Sequence, residues 1–260
     1  MADPIFMDLK QYVLKQGIVL KDGRAILDEA IERIRGKYGY SKKEMKTNFD
    51  DLILETEEVA YEIYKKEERE YGTKFMNAFV HYLREIGEIK KLDDMGPAFA
   101  RHFGVIDRFY LSLSQSRRSR AGKSFEVIHN SLFKILGYPF DEQKTIEGKP
   151  DFVMPSVAYY KQNPLQSIVF TAKRTLRERW RQIVTEGTRG IGFFLATIDP
   201  GMSANMLKEM SGHKIFVVCP KSIKTLKYPD AVNVISFERF FEDHLDPKMK
   251  IWKRDNAIIQ

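Results

Sequence analysis

Asp151 opens one short apolar run, Phe152-Val153-Met154, and Lys173 closes the run Ser167-Ile168-Val169-Phe170-Thr171-Ala172, 22 residues further on. If the two runs are neighbouring strands, a carboxylate and an ammonium sit side by side at their ends. Hydrolysis of a phosphodiester needs an in-line water, charge stabilisation at phosphorus and a stabilised leaving oxygen. A carboxylate offers hard oxygen to a divalent cation such as Mg²⁺, which favours one or two carboxylates plus water and phosphate. An adjacent lysine orients or deprotonates the water and offsets the developing charge. A proline-aspartate followed at a distance by a lysine is common by chance. Two flanking acids give it weight here: Glu126 on the preceding helix, and Glu186, 13 residues beyond Lys173.

The stretch after Lys173, Arg174-Thr175-Leu176-Arg177-Glu178-Arg179-Trp180-Arg181-Gln182, is dense in cations. Helical spacing puts Leu176, Trp180, Ile183 and Val184 on a core face and turns Arg177, Glu178, Arg179 and Arg181 to the other faces. Arginine bonds guanine O6 and N7 bidentately and an acid accepts from cytosine N4, so such a triplet suits consecutive G·C pairs. An ordinary solvated, salt-bridged face has the same composition, and the triplet alone leaves both readings open. Upstream, Arg117-Arg118-Ser119-Arg120-Ala121-Gly122-Lys123 places four cations in seven residues.

The elements that must position these groups fall into two parts: residues 1–104, helical, and residues 105–260, a core with α/β texture. In the first part Ile5, Leu9, Tyr12 and Val13 fall at helical spacing, as do Ile26, Ala30 and Ile34. Asp22-Gly23 and Gly36 to Gly39 break the pattern, and Ser41-Lys42-Lys43-Glu44 resembles a capping box. A charged segment from Asp50 to Glu70 carries Leu52, Val59, Ile63 and Tyr64 on one side; Gly72 is expected to interrupt it before Phe75, Phe79, Tyr82 and Leu83 resume it. This part reads either as a helical subdomain with a solvated face or as a dimerising, DNA-embracing arm.

In the second part the small, polar Tyr110 to Ser116 is expected to be a loop. A helix follows from about Gly122 to Leu136, its buried stripe Phe125, Ile128, Leu132 and Ile135, with Glu126 off that stripe. Strands are predicted at 143–146, 152–154, 167–172, 192–198, 214–219 and 233–236, and helices at 175–187, 202–210 and 237–244. Pro200-Gly201 and Ser211-Gly212 punctuate a βαβ crossover, which argues for a parallel strand pair within residues 192–219.

Composition limits the alternatives. The 260 residues are 43% hydrophobic and 12% aromatic, enough for a globular core, and the net charge of +7 is clustered rather than spread. The single cysteine, Cys219, rules out a disulfide framework and a cysteine-rich zinc site. The five histidines are scattered at 81, 102, 129, 213 and 244 without a metalloprotease spacing. Gly122-Lys123-Ser124 ends like a P-loop, but Arg117 stands where that motif needs glycine, so no nucleotide cofactor is expected. Asp8 and Lys10 interrupt the N-terminal apolar run, and the stretch from Ile191 to Ile198 is too short for a membrane span. A soluble, cytoplasmic protein without a membrane partner is expected.

Taken together, Ser119-Arg120-Ala121-Gly122-Lys123-Ser124-Phe125-Glu126, Pro150-Asp151, Thr171-Ala172-Lys173, Arg177-Glu178-Arg179-Trp180-Arg181-Gln182 and Glu186 resemble the type II restriction endonucleases of the PD-(D/E)xK superfamily. The resemblance is to the branch containing the EcoRII catalytic domain, Ecl18kI and PspGI. The compactness of the chain is most similar to the PspGI type, a stand-alone enzyme. It implies an α/β fold with a restriction-endonuclease-like core, a mixed central β-sheet flanked by helices, and an N-terminal helical subdomain. It implies a homodimeric, Mg²⁺-dependent nuclease acting on double-stranded DNA at a CCNGG or CCWGG palindrome, cutting before the first C to leave 5′ overhangs. By the same resemblance Asp151 and Glu186 hold metal, Lys173 serves the attacking water and Glu126 is an accessory acid. Arg177, Glu178 and Arg179 read bases in the major groove, Gln115 lies in the minor groove, and Arg118, Arg120 and Lys123 contact the backbone or orient the site. Flipping of the central bases is implied as well; the sequence does not place the pocket, and Tyr61, Tyr64, Phe75 and Phe79 are candidates for its lining, with a core position the favoured reading of each.

Thr171 departs from the commonest pattern, which has an acid two residues before the lysine; Glu186 on the helix is expected to supply the missing carboxylate. Two other classes remain as alternatives: a structure-specific nuclease, and a non-catalytic DNA-binding module on a nuclease fold. The intact Asp151, Lys173 and Glu186 argue against the second. The base-reading triplet argues against the first, because shape readers need mainly phosphate contacts.

Overall fold

The computed structural model describes residues 4–142, 150–176 and 193–258, leaving aside the side chains of residues 4–8, 10, 118, 119 and 121. The chain divides into two compact units: Met1–Ala30 with Glu58–Ala121, and Ile31–Glu57 with Gly122–Gln260.

The N-terminal helices are α1 (Pro4–Lys15), α2 (Gly23–Tyr38), α3 (Lys42–Thr47), α4 (Phe49–Glu85), α5 (Met95–Arg101) and α6 (Phe103–Leu136). The expected capping box starts α3: Ser41 Oγ accepts from Glu44 N, and Ser41 N donates to the Glu44 carboxylate, each at 3.1 Å. Two expected breaks are absent. Helix α4 passes through Gly72 without interruption. A helical glycine costs only about 1 kcal/mol relative to alanine, which the packed residues on either side of it offset. Likewise Tyr110 to Ser116 is not a loop but the middle of α6. Its serines and Gln115 obscure the stripe Val105, Phe109 and Leu113 at i, i+4 and i+8, all buried.

Within the first unit that stripe joins Leu9, Val13, Phe75, Phe79 and Leu83 in one cluster. Phe75 and Phe109 stack with ring centroids 3.7 Å apart. Burying a side chain of this size contributes roughly 1.5–3 kcal/mol.

In the second unit six described strands form one sheet in sequence order: β1 (Asp141–Glu142), β2 (Phe152–Met154), β3 (Ile168–Ala172), β4 (Phe193–Ala196), β5 (Ile215–Cys219) and β6 (Val234–Ser236). The pairs β1–β2 and β2–β3 are antiparallel; β3–β4, β4–β5 and β5–β6 are parallel, so the sheet is mixed and the expected parallel pair is present. Strands β3 and β4 are buried at every position, as their largely apolar runs, interrupted in β3 by Thr171, require of strands covered on both faces. The flanking helices are α7 (Val157–Gln162), α8 (Ala204–Gly212), α9 (Lys221–Lys227), α10 (Phe237–Arg239), which continues through a π-turn at Phe240–Leu245, and α11 (Asp246–Arg254). Helices α7 and α9 are too short to print a 3.6-residue period in sequence. The strand expected at 143–146 and the helix expected at 175–187, beyond Leu176, lie outside the described residues.

On one face of the sheet α6 packs through His129 and Phe133, both against Phe170. His129 is fully buried among Phe49, Phe125, Phe133, Phe170 and Phe237. Its Nδ1 lies 2.7 Å from Phe125 O, and burial pushes its pKa down to about 4. It is a neutral core residue. Cys219, at the end of β5, is also buried, and burial pushes its thiol up to about 12. Among the described residues no helix is long and apolar enough to cross a membrane.

Candidate active site

The antiparallel register of β2 and β3 pairs Phe152 with Phe170. Continued by one residue, it sets Asp151 opposite Thr171. Side chains alternate along a strand, so Asp151, Thr171 and Lys173 share one face. Thr171 Oγ1 lies 3.4 Å from Asp151 N, and Ala172 N donates to Asp151 Oδ2 at 2.8 Å. Lys173 Nζ stands 3.1 and 3.0 Å from the two carboxylate oxygens. The carboxylate is nearly buried and the ammonium about one-third exposed, with side-chain exposures of 7% and 36%. Within this pair the sequence expectation holds: two residues 22 apart in the chain form one charged unit at the strand ends.

The backbone after β3 is anchored as well. Lys173 N donates to Ala196 O at 2.9 Å, extending the β3–β4 ladder by one residue. Thr197 Oγ1 donates to Arg174 O at 3.2 Å, and Asp199 accepts from Leu176 N at 2.9 Å with one oxygen and from Gly201 N at 2.9 Å with the other. In the sequence Pro200-Gly201 reads only as punctuation; in the structure Asp199 and Thr197 hold the residues that follow Lys173. An aspartate directly before Pro-Gly, whose side chain can bond nearby backbone N–H groups, was the available signal.

A third carboxylate was not anticipated. Glu57 of α4 accepts from Ser124 Oγ of α6 at 3.2 Å, and its other oxygen pairs with Arg174 Nε at 3.1 Å. Burial holds its carboxyl above the usual range, with Arg174 and Ser124 opposing that rise. Glu57 sits in an acid-rich helical stretch where nothing in the sequence sets it apart from its neighbours.

Glu126 is half-buried on α6, two residues past Ser124. Gln115 and Lys123 are exposed on the same helix. Gln115 is therefore helical rather than in a loop. Arg120 Nε donates to Ser116 Oγ at 3.1 Å, and its guanidinium lies 4.8 Å over the Tyr64 ring. Arg118 belongs to α6, though its side chain lies outside the described residues, as do Arg177, Glu178, Arg179 and Glu186 entirely. Of the four aromatic candidates for a base pocket, Tyr64, Phe75 and Phe79 are buried, whereas Tyr61 is 60% exposed, with Lys65 Nζ 4.7 Å from its ring centroid.

Among the described residues no three metal-ligating side chains converge. Asp151 alone fits a hard divalent ion, since Mg²⁺ takes few protein oxygens and completes its shell with water and phosphate. The described arrangement thus holds an anionic oxygen pair and a cation at one fixed point.

Residues 83–241 match the family model described as EcoRII C terminal. Over 238 residues the chain is 29% identical to the type II restriction enzyme SsoII of Shigella sonnei, spanning 85% of this chain and 75% of that protein. Over 139 residues it is 37% identical to the type II restriction enzyme EcoRII of Escherichia coli, spanning 50% of this chain and 34% of that protein. Among solved structures, metal-depleted Ecl18kI in complex with uncleaved DNA superposes with a TM-score of 0.74 and 26% identity, covering 100% of this chain and 88% of that one. A complex of the restriction endonuclease PspGI with substrate DNA superposes with a TM-score of 0.61 and 21% identity, covering 89% and 94%, a likeness of fold.

Proposed function

Since this chain belongs to the EcoRII C-terminal family and is a type II site-specific deoxyribonuclease, a sequence-specific DNA endonuclease, we propose that it cuts both strands of a CCNGG or CCWGG palindrome before the first C, leaving 5′ overhangs. The observation that carries this reading is the Asp151–Lys173 pair, 3.0 Å apart at the ends of β2 and β3.

In this reading Asp151, together with Glu186, would hold Mg²⁺, which would supply Lewis acidity for phosphodiester hydrolysis. The Ala172 N–H fixes one Asp151 oxygen in place, so the carboxylate is oriented before any ligand arrives. Lys173 positions the attacking water with its ammonium and offsets the charge that builds on phosphorus. Glu126 acts as an accessory acid. Arg177, Glu178 and Arg179 read the C·G pairs from the major groove. Gln115 contacts the minor groove near the centre, and Arg118, Arg120 and Lys123 hold the backbone. The central bases leave the stack, and Tyr61 beside Lys65 is the aromatic platform open to receive one. The active protein is a homodimer, matching the two-fold symmetry of a palindrome, with residues 1–104 as the dimerising and DNA-embracing arm and residues 105–260 as the nuclease core.

The test is digestion of plasmid DNA with Mg²⁺ followed by sequencing of the fragment ends. Discrete fragments with 5′ overhangs beginning at CC are expected. Random nicking would point to a structure-specific nuclease, and no cleavage at all to a binding module.

A further inference from the structure

Glu57 lies in the acid-rich stretch Glu55-Thr56-Glu57-Glu58 of α4, yet its side chain is only 8% exposed, while the adjacent Glu58 faces solvent. Burying a carboxylate is costly unless its oxygens are bonded and its charge is paired. Both conditions are met, and by two different parts of the fold. One oxygen accepts from Ser124, two residues ahead of Glu126 on α6; the other pairs with Arg174, the residue that follows Lys173. The hydrogen bonds described for Lys173 N and Arg174 O run to Ala196 and Thr197, that is, to the end of β4 and the residue after it. The Glu57 carboxylate joins the helix to the strand end.

We propose that Glu57 is a positioning residue for the cleavage reaction: by holding Ser124 and Arg174 together, it sets the turn of α6 that carries Glu126 against the end of β3 that carries Lys173. The inference rests on the roles given to Lys173 and Glu126 under the proposed function. A displacement of about 1 Å between reacting groups costs on the order of a hundredfold in rate, and the two contacts tie α6 to the residue that follows Lys173.

The full-length enzyme is tested on a duplex carrying the site identified from the fragment ends. Glu57→Gln keeps an acceptor for Ser124 and removes the charge that holds Arg174. Its single-turnover rate at saturating Mg²⁺ is expected to fall roughly 10- to 100-fold, with Kd for the same duplex in Ca²⁺ within about twofold of the parent. Arg174→Gln is expected to lose as much, and the double variant no more than either single one, because both changes remove one interaction. A Glu57→Gln enzyme at the parental rate, or additive losses in the double variant, overturns the proposal. So does an Arg174→Gln enzyme whose main defect is weaker binding with a salt slope reduced by about one, the mark of a phosphate contact. Asp151→Ala run alongside separates the two levels. If it still cleaves, the assignment of the site itself fails. If it is inactive while Glu57→Gln is fully active, only the role of Glu57 fails.

Discussion

Two aspartates stand near the ends of this sheet's strands, and their surroundings make them opposites. On the antiparallel side, Asp151 precedes β2, takes a backbone N–H from β3 and has the Lys173 ammonium against both oxygens. On the parallel side, beyond β5, Asp50 of α4 accepts from Lys221 N at 2.7 Å. Burial pushes its pKa up to about 6; that N–H opposes the rise, and Asp51 and Glu238 add to it. Both carboxylates accept a main-chain N–H, so that bond does not distinguish them. What separates them is a cation placed by the strand itself. The short strands β1 and β2 bring the chain back antiparallel to β3, which sets an acid opposite the strand residue two before a lysine. The parallel strands β4 to β6 give support without chemistry of this kind.

The contrast is broken or sharpened by four measurements. The largest effect is expected at Asp151→Ala, which should abolish cleavage, a loss above about a thousandfold or roughly 4 kcal/mol of barrier, while specific binding in Ca²⁺ persists. Retained cleavage would remove the distinction between the two sides. Next comes His129, in the aromatic layer beneath β3. Its folded pKa near 4 lies below the ordinary 6.5, so the unfolded chain binds more protons between those values. Stability should therefore fall by about 3 kcal/mol as pH drops from 6.5 to 4. His129→Leu should flatten that slope in urea midpoints measured across the range; an unaltered slope would locate the sensitivity elsewhere.

A smaller effect is expected on the parallel side. Val217→Ala, at a fully buried position of β5, should cost about 1–3 kcal/mol of stability through the cavity it leaves, with the cleavage rate per folded molecule unchanged. A rate loss comparable to its stability loss would show that β5 does more than support. The smallest belongs to Asp50→Asn. Because the folded pKa is raised, the folded chain binds more protons between about pH 4 and 6. Stability therefore declines as pH rises through that window, and the cost is fully present above it. The side chain is only partly buried, which reduces the gain from the substitution to about 1 kcal/mol at pH 8, vanishing below pH 4; a Tm difference that persists at pH 3.5 would contradict it.

Much of the sheet and its chemistry could be read from the sequence because the largely apolar runs of β2 to β6 are short and bounded by turn residues, and because Asp151 opens one of them and Lys173 closes another. Helix α6 was legible only in its second half. There Phe125, Ile128 and Leu132 follow the helical period densely, whereas Val105, Phe109 and Leu113 are separated by small polar residues that resemble a loop. Gly72 misled for a related reason: a propensity cost near 1 kcal/mol is real but small beside the packing of a 37-residue helix. Glu57 could not be found at all. Its burial is a property of how α4, α6 and the β3 exit meet, and an acid among acids carries no local mark of that.

Cys219 has a practical consequence. As the one thiol in 260 residues, enclosed at the end of β5 with burial pushing its pKa up to about 12, it is expected to resist maleimides and iodoacetamides in the native protein. The chain is therefore a silent background for spectroscopic labelling. A single cysteine introduced at exposed Gln115 would carry a fluorophore or spin label without any deletion elsewhere, and a signal change on adding DNA would test whether DNA reaches this turn of α6.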